Sequence, residues 1–197
     1  MSWAAITYTR GMGRWEPDAQ GRLRRAALEL FAEQGYDRTT VAEIADRAGL
    51  TERTFFRHFA DKREVLFSGS AELERLIVAA VQAAPASASP LDQVTAGLGA
   101  AVAFFEDPEL PRRRQVVIAS HPELQERELI KMASLASAVA ATLRTRGVPE
   151  PAASLGAEAG VAVFRVAFER WVDPSNEHSF AALVEDSLAG LRSVVTG

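Results

Sequence analysis

The chain has 197 residues, of which 48% are hydrophobic and 24% charged. That length accommodates one or two domains with a sizeable core, and that hydrophobic share excludes general disorder. The formal net charge is −4 and cysteine is absent, which excludes disulfides, a thiol nucleophile and any cysteine-ligated metal.

The charge is uneven. Residues 1–67 hold 11 Lys/Arg against 10 Asp/Glu, and residues 68–197 hold 11 against 16. Five arginines and two acids fall in the first 25 residues. Contact with phosphate needs local rather than global positive charge. Residues 1–17 are interrupted by Gly11, Gly13 and Pro17 and read as a flexible basic arm. Arg10 and Arg14 there can lie along a DNA backbone, and a solvated basic tail is the alternative. The arm has no continuous apolar centre and is not read as a secretory signal. No apolar run reaches membrane-spanning length. No membrane partner is expected, and the composition is compatible with the cytoplasm.

From about Asp18 to Gln34 the apolar period is helical, with Leu23, Ala26, Ala27, Leu30 and Phe31 on one stripe. Gly35 ends it. Thr40 and Glu43 have capping-box spacing, in which the hydroxyl takes one free amide and the carboxylate reaches back to another. A short helix follows from about Val41 to Ala48, closed by Gly49. Thr51 caps a second, roughly Glu52 to His58, held from one side by Phe55 and Phe59. Asp61 and Glu64 repeat the capping box for a third helix expected to run to about Ala83. Two helices of about two turns joined by a Gly-containing turn read as helix-turn-helix. Residues 18–67 are thus expected to form a three-helix head, with Glu52–His58 as the reader. Arg can bond guanine O6 and N7 in the major groove, and Thr can offer a methyl or a hydroxyl.

Residues 68–197 read as helices throughout, with breaks at Pro85–Pro90, Asp107-Pro108, Gly147 and Asp173-Pro174. The expected helices are Leu91–Glu106, Arg112–Ser120, Pro122–Arg146, Pro151–Val172 and Glu177–Val195. No stretch has strand alternation, so the fold class is all-α with about nine helices. The three histidines, at 58, 121 and 178, have no metal-ligand spacing. There is no Gly-rich phosphate loop and no nucleophile elbow. Neither an enzyme nor a bound metal or cofactor is expected.

Residues 22–67 resemble the DNA-binding head of the TetR family of bacterial transcriptional regulators. The resemblance is carried by Ala26-Ala27-Leu28-Glu29-Leu30-Phe31, Gly35-Tyr36, Thr39-Thr40-Val41, Ile44-Ala45, Ala48-Gly49-Leu50-Thr51, Thr54-Phe55-Phe56, His58-Phe59, Lys62 and Leu66. It implies base contacts at Thr51, Glu52, Arg53 and Phe56. It implies phosphate contacts at Thr40, His58 and Lys62, with Arg57 beside them. Arg53 stands where the family often has Gly, and Phe56 where it usually has Tyr. Phe56 loses a phosphate-bonding hydroxyl but can touch a thymine methyl, and Arg53 adds a long donor. Arg53 is therefore expected to be a major specificity residue; a solvated surface arginine is the alternative.

The same resemblance implies a homodimer on a palindromic operator, since one helix-turn-helix makes few contacts and dimers place two readers on two half-sites. The last two helices are the expected interface. Gly156 and Gly160 allow close helix approach, and Phe180, Leu183, Val184, Leu188 and Leu191 form a stripe; intrachain core is the alternative for that stripe. An effector pocket is expected among the middle helices, lined by Phe104, Phe105, Met132, Phe164, Phe168 and Trp171. Arg165 lies in an apolar run, and burial there would require a partner, either Glu169, Glu158 or an anionic ligand group. Arg112-Arg113-Arg114 spread around a helix and cannot all face one site. Together with His121-Pro122-Glu123-Leu124 and Phe168–Trp171 they are loosely similar to regulators of the mycofactocin type, associated with acyl-coenzyme A effectors. The expected function is a ligand-responsive repressor, released from DNA by a small hydrophobic or acyl-type effector.

Overall fold

The computed structural model describes residues 18–196. The basic arm with Arg10 and Arg14 lies outside them.

Side-chain chemistry starts the head. The Asp18 carboxylate accepts the Gly21 amide at 2.8 Å and caps α1 (Ala19–Gln34), which Gly35 ends at φ 88°. The expected capping box is complete at α2 (Val41–Arg47): the Glu43 amide donates to Thr40 Oγ1 and the Thr40 amide donates to the Glu43 carboxylate. Gly49 takes φ 65° after it, a left-handed turn that a side chain would strain. Thr51 caps α3 (Glu52–His58) by accepting the Thr54 amide. Leu23, Phe31, Ile44, Phe55 and Phe59 pack the three helices together.

The third segment differs from the single helix expected from Asp61 to Ala83. It divides into a 3-10 turn, Arg63–Phe67, and α4 (Ser70–Ala83). Asp61 Oδ1 accepts the Arg63 and Glu64 amides at 2.8 and 3.1 Å. Glu64 does not close the box, because Arg127 and Lys131 hold its carboxylate. Ser68 and Gly69 then interrupt the helical run. A Cβ on Gly69 would meet the Phe104 ring at 3.2 Å, so the bare backbone lets the start of α4 approach its neighbour.

The remaining helices are α5 (Pro90–Phe104), α6 (Glu109–Ala119), α7 (Pro122–Thr145), α8 (Ala152–Trp171) and α9 (Phe180–Thr196). The described residues thus form nine α-helices and no strand. α5 is sandwiched between α4 and α8, α7 lies across α4 and α8, and α9 closes on α8 and α5. α6 starts three residues earlier than expected, because Asp107 accepts the Glu109 amide at 2.9 Å. α9 starts three later, at Phe180, because Asn176 folds the preceding loop by bonding the His178 carbonyl and amide.

The core does not divide at the head. Val117 and Ile118 of α6 and Leu124 of α7 belong to the same buried cluster as Leu23 and Phe55. The Tyr36 ring meets His121 edge-on at 4.9 Å. A second cluster, from Leu73 through Leu188, fills the body.

Candidate nucleic-acid interface and ligand cavity

α3 presents one buried and one open face. Phe55 is fully buried and stacks edge-on against Phe56 at 5.5 Å, while Phe56 itself is 55% exposed. Thr51, Glu52, Arg53, Arg57 and His58 are all exposed. Arg53 makes no hydrogen bond or ion pair among the described residues, so its guanidinium is available to an outside acceptor. Thr51 is engaged at its own helix start, with Thr54 Oγ1 at 3.1 Å, and among the described residues Arg57 reaches only the His58 ring, at 3.5 Å. Thr40 is exposed at the start of α2.

Lys62, expected to meet phosphate, is engaged within the chain: its ammonium donates to the Tyr36 carbonyl at 2.7 Å and the Thr39 carbonyl at 3.0 Å. It also sits 4.1 Å from the centre of the Tyr36 ring. Burial lowers its pKa from the ordinary lysine value. The charge therefore ties the loop after α1 to the loop after α3 and braces the reader from behind. Burial likewise pushes the Tyr36 hydroxyl up to about 12.

A cavity of about 850 Å³ opens between head and body. That volume lies within the range of small-molecule sites, roughly 300–1,000 Å³. Phe104, Phe105, Met132, Phe164, Arg165 and Phe168 line it. Trp171 does not. It is buried behind the wall, stacked on Phe180 at 5.0 Å and edge-on to Phe105 at 5.7 Å. Arg165 is exposed rather than buried among its apolar neighbours, because its position on α8 turns outward from Phe164 and Phe168. No hydrogen bond or ion pair to Glu158 or Glu169 forms there.

Sequence reasoning missed the head's share of this wall. Arg24 and Leu28 of α1 line it, with Val65 and Leu66 of the 3-10 turn. The signal available was Leu28, an apolar residue off the main stripe of α1 that is nonetheless buried. The three consecutive arginines point three ways, as their spacing requires. Arg112 donates to the Val172 carbonyl at 2.9 Å, Arg113 to Glu109 at 2.7 Å, and Arg114 to the Leu66 carbonyl at 2.6 Å and Glu128 at 2.8 Å. Arg114 also lies over the Phe67 ring and lines the cavity.

The expected interface residues are also placed differently. A Cβ on Gly160 would fall 2.2 Å from Val94 Cγ1, and one on Gly156 3.7 Å from Leu143, so both glycines face the chain's own core. Phe180, Leu183, Val184 and Leu188 are buried in that core, and Leu191 packs on it. Their apolar face is consumed by α8 and α5 within one chain. The outward stripe is instead Leu155, Ala162 and Val166 of α8, beside Ala182 and Ala189 of α9. Arg170 and Asp186 bridge the two helices at 2.5 Å.

Comparison with known proteins bears on both parts. A family model described as bacterial regulatory proteins, tetR family, matches residues 23–68. One described as MftR C-terminal domain matches residues 88–196. The HTH-type transcriptional regulator TcmR of Streptomyces glaucescens is 40% identical over 89 residues, 45% of this chain and 39% of that protein. The HTH-type transcriptional activator FasR of Mycolicibacterium smegmatis is 40% identical over 48 residues, 24% of this chain and 22% of that protein. The matched stretch therefore spans less than half the length of each of these relatives. The fold matches that of FadR from Bacillus subtilis, solved in complex with stearoyl-CoA, with a TM-score of 0.60 and 18% identity over 87% of this chain and 96% of that one. That likeness concerns the fold.

Proposed function

The chain belongs to the TetR family of bacterial regulatory proteins, and on that basis we propose that it is a ligand-responsive repressor that binds a palindromic operator as a homodimer. The observation that carries this reading is the open face of α3. It offers Arg53 and Phe56 outward from a capped head, with no partner for the guanidinium among the described residues. Thr51 and Glu52 complete the base-reading surface. Thr40, Arg57 and His58 flank it for phosphate. Lys62 serves indirectly, by fixing the loops that set the angle of α3.

Two readers need a dimer, and the outward stripe of α8 and α9 supplies the apolar surface for it. Small residues there allow close approach, and Leu155 and Val166 are large apolar side chains left in water. The effector occupies the cavity between head and body. Its aromatic wall suits an acyl chain or another extended apolar group, and Arg165 stands at the rim where an anionic group can meet it. The solved relative with stearoyl-CoA supports an acyl-type effector. A ligand shifts the dimer away from DNA only if it binds the DNA-free arrangement more tightly.

The intergenic DNA beside the chain's gene tests the reading. Purified protein should shift it at nanomolar concentration with steep salt dependence, and deletion of the gene should raise expression from that promoter. No sequence-specific shift would remove the DNA-binding reading; a shift with falling expression would reverse its sign to activation. Val166→Glu should leave a folded monomer with greatly reduced operator affinity.

A further inference from the structure

Most of the cavity wall is built by the body, but Arg24 comes from α1 of the head. Its Nε is buried and has no hydrogen-bond partner among the described residues. Its guanidinium makes no ion pair among the described residues. Of the other two arginines on the wall, Arg114 is engaged by Leu66 and Glu128, and Arg165 is exposed at the rim. Gln115, on the same wall, has a buried amide oxygen that also lacks a partner. The Arg24 Nε is closed off from the cavity, but the terminal nitrogens of the guanidinium are not buried, have no acceptor among the described residues, and can take one brought into the cavity. The carboxylates on the wall do not supply one. Glu128 is held by Arg114, Asp107 accepts the Glu109 amide, and Glu106 and Glu169 are exposed.

We propose that Arg24 recognises the polar end of the cavity's ligand, an amphipathic anion with an extended apolar part, and so ties that ligand directly to the DNA-binding head. The apolar part lies against Phe104, Phe105, Met132 and Phe168, which belong to α5, α7 and α8 or the turn after α5. The ligand then braces α1 against the body. The contact exists only when α1 faces the cavity, so it provides the difference in affinity that an effector needs to select one head orientation. This rests on the reading of the cavity as the effector site.

The test uses the full chain with cis-parinaric acid, a fluorescent eighteen-carbon acid, and its uncharged methyl ester. Phe168→Ala should weaken both probes, because it removes apolar wall shared by both. Arg24→Gln should weaken the acid about tenfold and the ester less than twofold, since a charge-assisted bond is about twice as strong as a neutral one. Acid binding should slow amide hydrogen exchange in α1 of the parent and not of Arg24→Gln. Because Arg24 has no partner among the described residues, the ligand-free variant should melt no lower than the parent. Failure of either probe to bind the parent, or indifference of both to Phe168→Ala, overturns the cavity reading and this proposal with it. Equal loss of acid and ester in Arg24→Gln, no loss of either, or a lower ligand-free melting temperature overturns the proposal alone.

Discussion

Arg53 shows what a single side chain can add to a shared scaffold. It projects from the second position of α3, exposed and without a partner among the described residues, next to the half-exposed ring of Phe56. A bidentate guanidinium–guanine contact discriminates by about 1–3 kcal/mol. Arg53→Ala should therefore cost about 5- to 150-fold in operator affinity and relax preference at one base pair, read by titrating operator variants. A uniform loss across all sequences would make it a phosphate contact instead. Lys62 teaches the reverse. Its charge and spacing resemble those of a phosphate ligand, yet two carbonyls and the Tyr36 ring take it. Sequence spacing carries no information on which neighbour a flexible ammonium meets, because the partners lie 23 and 26 residues away.

At the scale of elements, caps and close approaches set the boundaries. Asp61 accepts two amides and the Arg63 guanidinium, and the Arg63 hydrogen bond holds its carboxyl below the usual value. A depressed carboxyl stabilises the fold above its ordinary range, about pH 4, and loses that contribution as pH falls through the folded value. The gap in melting temperature between the parent and Asp61→Asn should thus be widest near neutrality and close as the pH approaches 3. A constant gap would assign the effect to shape rather than charge. Gly160 sets the α5–α8 spacing. A methyl there collides with Val94, so Gly160→Ala should destabilise by about 1–3 kcal/mol in a denaturant titration. An unaffected midpoint would mean that the two helices separate freely.

Across the whole molecule, head and body are joined by packing and by charge. Ile118, on α6, is 1% exposed inside the head's cluster, and Arg127 of α7 holds Glu64 of the head at 2.6 Å. A shared core unfolds as one unit. Truncating a buried isoleucine costs about 2–5 kcal/mol. Ile118→Ala should then speed hydrogen exchange in α1 and in α7 together. Faster exchange in α6 and α7 alone would show that the head is independent. The same junction contains the cavity, so whatever fills it touches both halves.

The all-α class, the two capped helices of the reader and the exposed positions on α3 were legible in the chain, because capping and apolar period act within a few residues. So was most of the aromatic wall, since large rings gather wherever helices converge. The break at Ser68-Gly69, the inward turn of Gly156 and Gly160, the exposure of Arg165 and the entry of Arg24 into the cavity were decided by tertiary structure. Each depends on which face of a helix meets which neighbour. Several helices carry more than one apolar face, and local sequence does not rank them. Packing among α1, α5, α6 and α8 does.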